Sequence, residues 1–168
     1  RQLINELKEG QQSPLDLQER QVEVGGSKFL AAYSERVSLV LAEMVETISQ
    51  DQFEAVCNLV ADPARNIFLL GGRVSDSIAG FLSIHLRQIR GRVYHISSNP
   101  EFQPEYVLRM RRKDVVILFD FRRYQRNLQQ LAELIARERQ PSIILITDKW
   151  ISPIAQSGTH IVALPIDA

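Results

Sequence analysis

Five short, mostly unbroken apolar runs, separated by stretches with helical periodicity, constrain this chain more than any other feature. They lie at residues 66–70 (NIFLL), 92–97 (RVYHIS), 114–119 (DVVILF), 142–147 (SIILIT) and 159–164 (THIVAL). A strand with one wet face alternates apolar with polar residues. A continuous apolar run is buried on both faces, as in a parallel sheet. Between the runs, apolar residues recur at spacings of three and four. Ile78, Phe81, Leu82, His85 and Ile89 mark one helix on or near a single face. Leu128, Leu131, Leu134 and Ile135 mark another. Pro104 suits the first residue of a short helix ending near Arg111. Residues 152–155 suit a turn of helix. Strands alternating with helices build βαβ units. The expected fold is therefore a three-layer α/β/α sandwich with a five-stranded parallel sheet in flavodoxin-like order, preceded by a helical segment.

That helical segment starts near Ser27. Phe29, Tyr33, Val37, Val40, Leu41, Met44, Val45 and Ile48 carry a helical stripe. Ser49 followed by Gln52 is a capping-box signal for a second helix. Phe53, Val56, Cys57 and Val60 are expected to face inward there, and Asp62-Pro63 ends it. Residues 1–26 read as a tail or connector, broken at Ser13-Pro14 and Gly25-Gly26. The chain opens on Arg1, so a piece of a longer protein is expected.

Composition excludes several classes. One cysteine cannot form an internal disulfide or a cysteine-rich zinc site. No apolar run approaches the ~20 residues that span a bilayer. No leader pattern opens the chain, and a cytoplasmic location is expected. Twenty basic and twenty acidic residues cancel, which argues against a surface that is basic overall. The charge is nevertheless uneven. Residues 35–62 hold six acids against Arg36, and residues 109–126 hold seven bases against Asp114 and Asp120.

In an open α/β sheet, ligands bind at the carboxyl ends of strands, beside the reversal of strand order. Two loops fall there. Gly71-Gly72-Arg73-Val74-Ser75 follows the first strand, and Asp120-Phe121-Arg122-Arg123-Tyr124-Gln125 follows the third. Each leads into a helix whose first N–H groups can hold an anion. A tight turn and a solvated helix start explain the same residues, and both readings stay open. An arginine pair at a helix N-terminus does oppose the dipole, which asks for another reason for its presence. His85, His95 and His160 lack metal-ligand spacing and read as packed or surface residues. Asp148 reads as a loop cap, and Trp150 in the same loop as a site cover or an interface residue. No nucleophile elbow or P-loop occurs. No catalytic residue, metal or cofactor is expected.

The strand–GGRVS–helix opening, the segment DVVILFDFRRYQ and the run ILITDKWISPIA together resemble a SIS (sugar isomerase) domain of RpiR-type transcriptional regulators. The resemblance covers about residues 27–168, and residues 1–26 resemble the end of a helix-turn-helix domain plus linker. It implies an effector-sensing and oligomerising domain that binds a phosphosugar or sugar acid, acts on DNA through a domain largely absent here, and forms a homodimer or homotetramer. A further helix after the last strand is usual in the family, so a missing C-terminal piece is expected. Two loops depart from the family pattern. The usual first loop is G-x-G-x-S, and Arg73 replaces its second glycine. The usual second loop is S-x-S-G-x-T, and Asp120, Arg122, Arg123 and Gln125 occupy its defined positions. The resemblance then places Gly71, Gly72, Arg73 and Ser75 on one side of a ligand and Asp120, Arg122, Arg123 and Gln125 on the other. A sugar-phosphate isomerase and a ligand-free oligomerisation module are the alternatives.

Overall fold

The computed structural model describes residues 29–166. The tail expected over residues 1–26 lies outside the described residues. The chain divides into two units, residues 1–43 and 44–168. Helix α1 (Phe29–Thr47) begins in the first unit and ends in the second.

The second unit continues with helix α2 (Gln50–Ala61). Its N-cap is Ser49, whose hydroxyl accepts the Gln52 N–H as the capping signal requires. Strand β1 (Ile67–Gly71), helix α3 (Asp76–Ile89), strand β2 (Val93–His95), helix α4 (Gln103–Arg109), strand β3 (Val115–Phe119), helix α5 (Arg126–Glu138), strand β4 (Ser142–Asp148) and strand β5 (His160–Leu164) follow. A 3-10 turn, Pro100–Phe102, leads into α4, and another, Pro153–Gln156, precedes β5.

All four strand pairings are parallel, and the spatial order is β2-β1-β3-β4-β5. This is the flavodoxin-like order, with the reversal between β1 and β3. Every residue of β1 and β3 is buried, as the unbroken apolar runs demand. Strand β2 is shorter than the RVYHIS run, because the chain turns away after His95 at the sheet edge.

Alternate strand residues build two cores. Phe68, Leu70, Val116, Leu118, Ile143 and Leu145 pack with Val107 of α4 and Leu128, Leu131 and Ile135 of α5. Ile67, Leu69, Val115, Ile117 and Ile144 face Ala79 and Leu86 of α3, with Val56, Leu59 and Val60 of α2 against them. A two-residue side-chain period thus gives three layers.

Two helix faces differ from expectation. On α2, Phe53 and Cys57 are exposed, and Leu59 joins Val56 and Val60 on the inner face. On α3, the residues that touch the sheet are Ala79, Ser83 and Leu86, flanked by Leu82. Ile78, Phe81 and Ile89 point outward instead, between 47% and 81% exposed. Small residues let the helix lie close to the sheet. A β-carbon built on Gly80 would stand 3.3 Å from the His95 ring.

Candidate anion-binding cleft

The first loop is shaped by backbone proximity. The Asp76 N–H donates to the Gly72 carbonyl at 2.8 Å, an i to i−4 bond that starts the helical turn at Gly72. A β-carbon on Gly71 would lie 2.4 Å from the Asp76 nitrogen and the Ser75 carbonyl carbon. Only glycine allows the strand to enter the helix this abruptly. The Gly71 N–H donates to Asp76 Oδ1, which also bonds the His95 ring at 2.9 Å. The Gly72 N–H donates to Ser75 Oγ (2.8 Å), and Ser75 Oγ donates to the Phe119 carbonyl (2.7 Å). Ser75 is therefore buried behind the loop, tying β1 to β3. The N–H groups of Arg73, Val74 and Ser75 find no acceptor among the described residues. They are the orphan donors that every helix start carries.

A cleft of about 340 Å³ opens in front of this loop. Leu70, Gly71, Gly72 and Arg73 line it from the first loop. Gln125, Asn127 and Leu128, at the start of α5, form the facing wall. Gln125 is the N-cap of α5 and makes no side-chain cap bond, so its amide stays available to the cleft. Ser98, Pro100 and Gln103, from the segment after β2, close the third side. Two helix N-termini thus converge on one cleft, each with partial positive charge. The polar side chains at its surface are one guanidinium, three amides and one hydroxyl.

Of the eight residues assigned to the site from sequence, Gly71, Gly72, Arg73 and Gln125 line this cleft. Asp120, Arg122 and Arg123 do not, and neither does Ser75. Asp120 is buried beneath the second loop, where Oδ2 accepts the Ser152 hydroxyl. Burial pushes the Asp120 carboxyl up from its ordinary value. The Ser152 and Gln125 hydrogen bonds oppose that, and nearby Asp148 adds to it. Arg122 turns the other way, with its guanidinium carbon 4.9 Å from the centre of the Trp150 ring. Arg123 is exposed at a left-handed φ of 68°.

Asp148 organises this second loop. Fully buried, it accepts the Arg122 N–H (2.6 Å), the Tyr124 hydroxyl (2.7 Å) and the Trp150 N–H (3.0 Å). Burial and then the Asp148 bond push the Tyr124 hydroxyl well above the ordinary phenol range. The loop-cap reading of Asp148 holds, and Trp150 covers its own loop. Sequence reasoning missed Ser98, Gln103 and Asn127. They carry no motif, and the only available signal was their place after β2 and at the start of α5.

Among the described residues, no cluster of His, Cys, Asp and Glu is placed to hold a metal ion, and no helix is long and apolar enough to cross a membrane. His85 is exposed and meets Phe81 edge-on at 4.4 Å.

Comparison with solved structures places the fold. The sugar isomerase domain of an RpiR transcription factor from Sphaerobacter thermophilus superposes with a TM-score of 0.70 at 19% identity, covering 82% of this chain and 75% of its own. The Vibrio vulnificus NanR protein complexed with ManNAc-6P gives 0.68 at 12% identity, covering 89% of this chain and 53% of NanR. A phosphoheptose isomerase from Francisella tularensis also gives 0.68 at 12% identity, covering 83% and 85%. Identities this low speak to fold alone, and regulators and isomerases share it. No curated protein sequence matches the chain significantly. The profile described as SIS domain matches residues 62–168, the whole sheet and both loops of the cleft, and the chain belongs to the SIS domain family.

Proposed function

We propose that this chain is the effector-sensing and oligomerising part of a cytoplasmic DNA-binding transcription regulator of the RpiR type, and that a small anionic sugar derivative binds in the cleft. In this reading residues 27–168 form the sensing domain. Residues 1–26 are the end of a helix-turn-helix domain and its linker, and the assembly is a homodimer or homotetramer. The observation that carries the reading is the convergence of the α3 and α5 N-termini on one cleft, lined at the first loop by Gly71, Gly72 and Arg73, the last with an unbonded backbone N–H. Such termini are ready-made anion sites. Arg73 adds a planar fork suited to carboxylate or phosphate. Gln103, Gln125, Asn127 and Ser98 supply the neutral donors and acceptors that sugar hydroxyls need. NanR, a structural neighbour, was solved with ManNAc-6P, a ligand of this kind.

The ligand-holding residues of this reading are Gly71, Gly72, Arg73 and Gln125. Ser75 supports the first loop from behind. Asp120 and Arg122 help hold the second loop, and Arg123 is exposed on it. The isomerase alternative draws on the phosphoheptose isomerase neighbour. It needs a proton acceptor beside the substrate carbon. The cleft instead presents amides, a hydroxyl and a guanidinium, groups that bind without taking a proton near neutral pH. That donor set favours binding over turnover.

A thermal-shift panel of sugar phosphates, sugar acids and small dicarboxylates tests this. A ligand at 100 times its dissociation constant stabilises by about 2.7 kcal/mol, which is roughly 5–10 °C for a chain of this size. The shift should vanish in Arg73→Ala/Gln125→Ala. Silence across the panel from folded protein would sink the sensing role, and turnover of an aldose–ketose phosphate pair would install the isomerase in its place.

A further inference from the structure

We propose that the amino-terminal edge of the sheet, opposite the cleft, is a second binding face: a row of cations that seats the phosphodiester backbone of duplex DNA.

The row follows from topology. In a parallel sheet, all the loops that enter strands lie along one edge. Here Arg90 and Arg92 precede β2, and Arg65 precedes β1. Arg111, Arg112 and Lys113 precede β3, and Arg139 precedes β4. The order β2-β1-β3-β4 sets these four loops side by side. Neighbouring strands stand about 4.8 Å apart, so the row is roughly 15 Å long.

The loops are fixed to one another. Arg65 Nη1 donates to the Lys113 carbonyl at 2.7 Å. Arg90 donates to the Arg65 carbonyl at 2.6 Å and to the Val60 carbonyl. Asp114 accepts the N–H groups of Asn66 (3.1 Å) and Arg111 (2.9 Å) and the Asn66 side-chain amide, which pins the turn carrying Arg111, Arg112 and Lys113. Those three side chains are exposed and meet no carboxylate among the described residues.

Charge along the row is not cancelled locally. Seven cations stand against two carboxylates; Arg92, Arg111, Arg112 and Lys113 are exposed, whereas Arg65, Arg90 and Arg139 are half-buried. Asp62 is engaged by Arg65 at 2.8 Å, and Asp114 is completely buried. Burial lowers the Arg90 pKa, Asp62 opposes it, and neighbouring Arg92 adds a smaller lowering. A linear array dominated by guanidinium groups matches a linear polyanion better than a compact metabolite. DNA is the polyanion that the regulator reading brings to this protein, and the inference rests on that reading for its partner.

The test is fluorescence anisotropy of the 168-residue chain with a labelled duplex of arbitrary sequence. We expect binding at about 50 mM salt that weakens steeply by about 200 mM, as counterion release requires. Arg111→Glu/Arg112→Glu/Lys113→Glu should weaken it at least about tenfold and flatten the salt slope by about two to three. Arg92→Glu, at the far end of the row, should weaken it by a smaller factor, and it serves alone if the triple variant fails to fold. No binding at low salt overturns the proposal. So does unchanged binding by the folded variants, or equally tight binding of poly-glutamate. An effector-blind protein that still binds DNA through this row would fail the sensing reading alone. Effector binding with no role for the row in DNA binding would fail this proposal alone.

Discussion

The Tyr124 hydroxyl and the Asp148 carboxylate, 24 residues apart, meet at 2.7 Å and join the loop after β3 to the end of β4. Asp148 has no exposure, and it also accepts the backbone N–H groups of Arg122 and Trp150. One carboxylate thus sets the backbone course of two loops at the carboxyl edge of the sheet. Tyr124→Phe removes a bond to a charged, buried acceptor and should cost about 1.5–3 kcal/mol. Asp148→Ala removes the acceptor for three donors and should cost more, about 3 kcal/mol or above. Urea denaturation of both variants checks the order. Equal midpoints for Tyr124→Phe and the parent would show that Asp148 does not need this bond.

Asp120, buried at the end of the neighbouring strand, predicts a pH dependence. Burial raises its carboxyl above the ordinary value, so the folded state holds the proton more tightly than the unfolded chain does. A raised carboxyl contributes stability that is fully present below the unfolded value, near 4. That contribution is lost as pH rises through the higher folded value. Asp120→Asn cannot titrate. The difference in Tm between variant and parent should therefore move in the variant's favour as pH rises from about 4 toward neutrality. A constant difference across that range would mean the site titrates as it does in the unfolded chain.

The two glycines of the first loop should separate cleanly. At Gly71 an added methyl meets backbone at 2.4 Å, which cannot move without shifting α3. Gly71→Ala should cost about 1–3 kcal/mol, the range for forcing an atom into a packed site. At Gly72 the nearest atoms are Ser75 Oγ at 3.3 Å, held by its two hydrogen bonds, and Gln125 Cδ at 3.5 Å, so an added methyl is tight against one side-chain atom and clear of backbone. Gly72→Ala should cost less than about 1 kcal/mol. Equal costs from denaturant curves would show that the helix start is looser than its geometry indicates.

The sheet was legible because unbroken apolar runs can be satisfied only by burial on both faces. That is why β1, β3 and β4 fall where NIFLL, DVVILF and SIILIT suggest. The face of α3 was not legible. Periodicity marks a stripe, yet Ala79 and Ser83, too small to weigh in an apolar pattern, are among the residues the helix buries. The cleft was half legible for a related reason. Gly71 and Gly72 announce a sharp turn, whereas the direction of Arg122 depends on Asp148 and Trp150, which lie far along the chain. Ser98 and Gln103 enter the cleft only because the chain after β2 folds back over it.

Ile151 supplies the last prediction. It follows Trp150, is about half exposed, and adopts a φ of 60°. A β-branched residue in the left-handed region is a genuine outlier, since its side chain crowds the backbone. The conformation is imposed from outside: the Ile151 N–H donates to the Asp148 carbonyl at 3.1 Å, and the Ser152 N–H and hydroxyl are held by Thr147 and Asp120. Left-handed geometry costs an ordinary residue about 1–2 kcal/mol, and asparagine bears it more easily. Because the side chain is half exposed, little burial is lost on replacement. Ile151→Asn should therefore stabilise the chain by up to about 1 kcal/mol, raising Tm by roughly 2–4 °C. Ile151→Val keeps the branched β-carbon and should give no gain. A lower Tm for Ile151→Asn would show that the isoleucine side chain makes contacts worth more than its strain.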